Sequence, residues 1–177
     1  MQEPLLEELR TLIRDVRDFP KPGITFKDIT PLLGDARAFR RTIDAMVEQV
    51  KTRHVTKVVA IESRGFLLGS AIALELGAGL AIARKPNKLP FSTTKIEYGL
   101  EYGIDTLEMH VDSLKNTDSV LIVDDVLATG GTALATAQLV QRLGAQVTGL
   151  AFLLELTFLQ GRKKLEGHAA FSLFQFH

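Results

Sequence analysis

The run Val120-Leu-Ile-Val-Asp124-Asp125-Val-Leu-Ala128-Thr129-Gly130-Gly131-Thr132 constrains this chain more than any other stretch. A short apolar, β-branched run ends abruptly in two adjacent carboxylates. A loop of small residues then leads into a helical pattern from Ala133 to Leu143. Adjacent acids are costly to bury beside an apolar strand, so a strand Val120–Val123 is expected to end at them, with partners for both. Small residues just before a helix leave its first backbone N–H groups open, and such an end attracts phosphate. One locus would therefore take an anion on amides and hydroxyls, or a metal on carboxylates. A sugar phosphate asks for both.

The 177 residues suit one domain with a real core. Hydrophobic residues make up 46% and charged ones 24%, a globular rather than disordered balance. Lys plus Arg is 21 and Asp plus Glu is 21, so no basic surplus points to a nucleic-acid partner. With Cys at 0, a disulfide, a thiolate zinc site and a cysteine nucleophile are excluded. The four histidines, His54, His110, His168 and His177, have no metal-ligand spacing. No signal peptide is expected from Met1-Gln2-Glu3-Pro4, which lacks a basic segment followed by an apolar core, and the longest apolar run, Val147–Leu154, is interrupted by Thr148 and Gly149. No membrane partner is expected, and a cytoplasmic location is the default.

Leu5, Leu6, Leu9, Leu12, Ile13 and Val16 recur at helical spacing and predict an amphipathic helix that stops before Phe19-Pro20-Lys21-Pro22-Gly23. Asp35 is placed to cap a second helix reaching about Lys51. Strands and helices then alternate: strand Lys57–Ile61, loop Glu62–Gly65, helix Phe66–Leu76 closed by Gly77, strand Leu80–Ala83, then strand Val120–Val123, helix Ala133–Leu143 and strand Gln146–Leu154. This is an α/β pattern, a mostly parallel central sheet flanked by helices. Ligands in such sheets bind beyond the carboxyl ends of the strands, where both Glu62–Gly65 and Asp124-Asp125 fall. The segment from Arg84 to His110 is a long excursion with hairpin character, marked by two prolines and two Tyr–Gly pairs, and long loops of this kind often act as lids.

The acid–small-residue loop is neither a Walker loop, since no Lys follows its glycines, nor a dinucleotide fingerprint, since G-x-G-x-x-G is absent. Val123–Thr132 resembles the phosphoribosyl diphosphate signature of the type I phosphoribosyltransferases. Phe19-Pro-Lys-Pro-Gly-Ile-Thr-Phe-Lys-Asp-Ile-Thr-Pro31, Glu62-Ser-Arg-Gly-Phe66 and Leu100-Glu-Tyr-Gly103 are similar to the adenine-using branch of that family. The resemblance runs from the first helix to Phe171-Ser172-Leu173.

The resemblance implies the type I phosphoribosyltransferase fold, with a small hood and a flexible lid loop. It treats residues 1–177 as a single domain, with a helix and base-binding turn in 1–34 and a lid or hood at about 84–110. It implies transfer of the phosphoribosyl group from phosphoribosyl diphosphate to adenine, giving AMP and diphosphate for purine salvage. Asp124 and Asp125 would hold the ribose hydroxyls. Ala128, Thr129, Gly130, Gly131 and Thr132 would wrap the 5′-phosphate. Magnesium would bridge ribose hydroxyls and diphosphate, contacting Asp124 and Asp125 at most. Glu62, Ser63, Arg64, Lys85 and Lys88 would serve the diphosphate. Arg64 suits it best, because a guanidinium spans two phosphate oxygens; a surface ion pair is the plain alternative.

Phe26 would stack on the base, against the alternative of core packing, and backbone groups of Thr25 and Lys27 would read its edge. Relatives more often carry Arg at the Lys27 position, a change of little weight if only the main chain is used. Leu156 is either a base contact or ordinary core. Glu101 would move the adenine N7 proton from a closing lid beside Tyr102, with Glu97 as the local decoy in a similar Glu-Tyr-Gly setting. A homodimer is the family's usual state. The other readings are a phosphoribosyltransferase for another purine, or a regulator that keeps the pocket as a non-catalytic sensor.

Overall fold

The computed structural model describes residues 3–100 and 103–177. They fall into two compact units, one up to Ala45 and one from Met46 onward.

The first unit holds α1 (Glu3–Thr11), β1 (Arg14–Arg17), β2 (Thr25–Asp28), α2 (Thr30–Gly34) and the start of α3 (Ala36–Val50). The expected first helix is shorter than its apolar spacing implied. The Thr11 hydroxyl turns back onto the Glu8 carbonyl at 2.7 Å. The Leu12 and Ile13 amides then bond three residues back, the tight geometry of a closing turn. Arg14–Arg17 becomes a strand because β2 offers an antiparallel partner, with Val16 opposite Phe26 and Arg14 opposite Asp28. Arg14 fixes that register, donating to Asp28 at 2.5 Å and holding its carboxyl down at about 2. Helix α3 starts where expected, the Asp35 carboxylate accepting from the Ala38 amide at 2.8 Å.

The second unit is built on a five-stranded parallel sheet in the order β4-β3-β7-β8-β9. Its strands are β3 (Lys57–Ile61), β4 (Gly79–Ala83), β7 (Ser119–Leu127), β8 (Gln146–Leu156) and β9 (Ala170–Phe176). Helix α4 (Gly65–Leu76) follows β3 and α5 (Gly131–Arg142) follows β7. Val58 to Ile61, Val120 to Val123 and Leu150 to Leu154 are buried, as runs covered on both faces should be. Successive connections leave β3 toward one edge and β7 toward the other, so β3 and β7 flank the switch point where α/β sheets open a crevice.

Two strands outrun their expected ends: β7 continues through both aspartates to Leu127, and β8 to Leu156. They extend each other, pairing Asp124 with Phe152 and Leu127 with Glu155, and that ladder outweighs the poor strand preference of the acids. Beside the sheet, β5 (Thr93–Leu100) and β6 (Gly103–His110) form the expected antiparallel hairpin, in register from Thr93–His110 to Leu100–Gly103. It is tied to the end of β4 by reciprocal backbone bonds between Arg84 and Glu108 at 2.9 and 2.8 Å. No helix among the described residues is long and apolar enough to cross a membrane.

Candidate active site at the carboxyl edge of the sheet

The aspartates are 9% and 5% exposed, inside β7 rather than past its end as the sequence led one to expect. Successive strand residues face opposite ways, and the pair divides accordingly. Asp125 accepts from the Arg64 Nε of the β3–α4 loop, while Asp124 accepts from the Asp125 amide at 2.9 Å and faces a cleft. Burial, and then the neighbouring Asp125 charge, push the Asp124 carboxyl well above the usual carboxylate range. The start of α4 lies hard against β7 at this point. A Cβ on Gly65 would stand 2.9 Å from both the Asp124 Oδ1 and the Val123 carbonyl oxygen, so only glycine fits.

The cleft, about 120 Å³, is lined by Asp124 and by the chain from Val126 through Ala133. Gly130 has φ +79, and Gly131 opens α5, whose first helical bond runs from the Leu134 amide to the Gly130 carbonyl at 3.0 Å. The N–H groups of the preceding turn have no carbonyl within the helix to meet, and the turn lines the cleft.

The neighbouring loops are organised by side chains. The Glu62 carboxylate takes the Arg84 guanidinium through two bonds of 3.2 Å and the Lys85 amide at 2.7 Å. Burial alone would raise that carboxyl; Arg84 and the Lys85 amide outweigh it and hold it below its ordinary value. The Glu62 side chain therefore braces the segment after β4. Ser63 is exposed, and the Glu62–Ser63 peptide is cis. Lys85 Nζ pairs with Asp105 of β6 and lies 3.3 Å from the Tyr98 hydroxyl. That hydroxyl donates to Asp105 at 3.1 Å and accepts from the Thr132 hydroxyl at 3.3 Å. The hairpin thus reaches the small-residue loop through Tyr98, with Lys85 between them. Lys88 is exposed, and its carbonyl accepts from Arg84 at 3.2 Å.

Asp124, the 128–132 loop, Arg64, Lys85 and the Tyr98 hydroxyl are thus linked in one stretch of the second unit. Leu156 ends β8, half-buried beside Phe176 of β9. Thr25, Phe26 and Lys27 lie on β2 of the first unit. There Phe26 meets the edge of the Phe19 ring at 5.3 Å and Lys27 pairs with Asp15 at 2.6 Å. Glu97 is exposed on β5. Glu101 and Tyr102 lie outside the described residues.

Asp105 and the Glu155–Arg162 pair escaped the sequence reading. Asp105 carries only the alternation of a strand, and Arg162 sits in an unremarkable Gly-Arg-Lys-Lys run. As for a metal, among the described residues no group of three or more acidic or histidine ligands comes together. Two carboxylates, one already on Arg64, fit a hard cation that takes most of its oxygens from a bound substrate.

The phosphoribosyl transferase domain family matches residues 30–173. An adenine phosphoribosyltransferase of Myxococcus xanthus is 58% identical over 161 residues, covering 91% of this chain and 88% of that relative. The crystal structure of adenine phosphoribosyltransferase from Thermoanaerobacter pseudethanolicus is similar with a TM-score of 0.95 and 51% identity, covering 97% of this chain and 99% of the other. The Saccharomyces cerevisiae enzyme, solved with an imino-altritol bisphosphate and adenine, gives a TM-score of 0.91 at 37% identity over 97% and 99% of the two chains. With this sheet, this cleft and these relatives, the chain belongs to the adenine phosphoribosyltransferase family.

Proposed function

We propose that this chain transfers the 5-phosphoribosyl group of phosphoribosyl diphosphate to adenine, releasing diphosphate and forming AMP. The observation that carries the reading is the meeting of Asp124 with the Ala128–Thr132 turn in one cleft at the switch point of the sheet. An acidic acceptor beside an open helix start matches the two ends of a ribose 5-phosphate. Backbone N–H groups and the Thr129 and Thr132 hydroxyls hold the phosphate, and Asp124 and Asp125 accept the ribose hydroxyls. Two carboxylates near C1′ also favour the positive charge that develops as diphosphate departs. Arg64 meets that diphosphate, with Lys85 and Lys88 approaching from the segment braced by Glu62, and Ser63 presents backbone there. Magnesium, when bound with the substrate, neutralises diphosphate charge.

Phe26 stacks on adenine, Thr25 and Lys27 present backbone to its edge, and Leu156 packs against it. Glu101, on the lid with Tyr102, takes the N7 proton as the ring nitrogen attacks. Catalysis is by positioning and electrostatics, without a covalent intermediate.

The partners are the two substrates and a second copy of the chain, in a cytoplasmic enzyme. Helix α4 supports the second copy. Leu67 is 51% exposed and Leu74, two turns on, 83%, next to an edge strand whose Leu80 is 44% exposed. Exposed leucines two turns apart beside an exposed edge-strand leucine form an apolar patch that is normally covered. Light scattering is expected to give a dimer, and Leu74→Glu a monomer.

The activity is tested by supplying adenine, guanine and hypoxanthine separately with phosphoribosyl diphosphate and magnesium. AMP from adenine alone is expected. Turnover of another base in preference would reassign the acceptor. Tight binding of the diphosphate sugar with no nucleotide from any base would contradict an enzyme.

A further inference from the structure

The Ala128–Thr132 turn is backed by a distant piece of its own chain. Gly161, buried, follows β8 at the start of the short 3-10 segment Gly161–Leu165. A Cβ on Gly161 would collide with the Ala128 carbonyl oxygen and stand 2.8 Å from the Gly130 nitrogen. A Cβ on Gly130 would collide in turn with the Gly161 carbonyl oxygen. The exclusion is reciprocal: two backbones touch where neither tolerates a side chain.

Gly161 is itself held firmly. The next residue, Arg162, spreads its guanidinium over the ends of two strands. It donates to Glu155 of β8 at 3.0 and 2.5 Å, and to the Ala170 carbonyl and Ser172 hydroxyl of β9 at 2.6 and 3.1 Å. Ser172 adds a bond of 2.8 Å to the same carboxylate. A guanidinium that would elsewhere serve an anion directly is here committed inward, to a Glu155 only 4% exposed.

We infer that Gly161, anchored by Arg162 on Glu155, is a positioning residue that shapes the 128–131 backbone for the sugar 5′-phosphate. The inference rests on the reading of that turn as the phosphate site. A turn of small residues has much conformational freedom to lose on binding, and a rigid back wall removes that cost beforehand. The grip on phosphate then depends on a residue that never touches it.

The test compares Gly161→Ala, Arg162→Lys and Gly167→Ala. Gly167 has φ +87 but nothing within 4 Å of its Cβ position, so its replacement strains the same C-terminal segment without reaching the loop. Titration calorimetry with ribose 5-phosphate and steady-state kinetics are the readouts. Gly161→Ala is expected to weaken ribose 5-phosphate and raise the KM for phosphoribosyl diphosphate by about tenfold or more, with the adenine KM changed less than about twofold. Arg162→Lys, which keeps the charge and loses the fork, shifts the same two quantities by less. It carries the test alone if Gly161→Ala does not fold. Gly167→Ala lowers the melting temperature and leaves both constants as they were. Wild-type affinity for ribose 5-phosphate in Gly161→Ala, or in a folded Arg162→Lys if that variant stands alone, would overturn the inference. So would equal losses in Gly167→Ala. Failure of the wild-type protein itself to bind ribose 5-phosphate would instead remove the phosphate reading of the turn, and the inference with it.

Discussion

The loops that follow β3 and β7 lie at the same edge of one sheet, yet they are held by different means. The first, with the segment after β4, is fastened by charged side chains: Arg64 on Asp125, Arg84 on Glu62, Lys85 on Asp105. The second is fastened by backbone contact, Gly130 against Gly161, and by the start of a helix. Side-chain pairs can open and exchange partners, so a diphosphate can compete with Asp105 for Lys85. A backbone cradle has little to exchange and is ready before its ligand arrives. On the proposed reading, the half of the substrate that leaves would meet groups able to let go, and the half that is kept would meet a backbone already in place.

The largest expected effect separates both holding devices from the chemistry. Glu101→Gln should lower kcat by about a hundredfold or more while phosphoribosyl diphosphate still binds, and Glu97→Gln should leave kcat near wild type. Equal turnover in the two variants would show that proton transfer does not reside at Glu101. Next comes Arg64→Ala, which strips the diphosphate of its guanidinium and leaves Asp125, 5% exposed, without that partner. A loss of tens- to a hundredfold in kcat/KM is expected, together with about 1–3 kcal/mol of stability by urea unfolding. A full loss of activity with unchanged stability would mean that the Arg64–Asp125 pair does not hold the loop.

Thr132→Val sharpens the contrast from the other side. It removes the hydroxyl that meets Tyr98 and that, on the proposed reading, also meets the phosphate, and should weaken ribose 5-phosphate by roughly fivefold, about one hydrogen bond's worth. The smallest effect is a pH dependence. Burial would raise the Glu155 carboxyl, but bonds from Arg162 and Ser172 hold it below its ordinary value. A depressed carboxylate contributes stability that is present above its unfolded pKa and lost as pH falls through its folded one. The melting temperature of Glu155→Gln should therefore lie below wild type at pH 7, by a few degrees, and the gap should begin to narrow as pH falls past about 4.3 and close at lower pH.

The edge of the sheet was the legible part of the sequence. Parallel strands, their helices and the two loops at their ends follow from apolar runs broken by small or charged residues, and the Val120–Thr132 run named its own chemistry. The misreadings have a common cause. Arg14–Arg17 continues the helical spacing of the residues before it, and only its distant partner, Thr25–Asp28, turns it into a strand. The two aspartates belong to β7 because β8 runs alongside them. Ala170–Phe176 lacks the clean alternation that marks a strand in sequence, although Gly167 turns the chain just before it, and β9 takes its place from its pairing with β8. Gly161, Arg162 and Asp105 carry no local pattern, since what they do depends on what lies against them. Pairing across distance is what a linear pattern does not encode.

Hydrogen exchange of the loop amides bears most directly on the contrast between cradle and clamp. With ribose 5-phosphate added, protection should rise at the amides of Ala128 to Thr132, with those of Arg64 and Lys85 unchanged; adding diphosphate should reverse the pattern. Protection by ribose 5-phosphate at Arg64 and Lys85, with none at Ala128 to Thr132, would contradict a backbone cradle for the sugar phosphate.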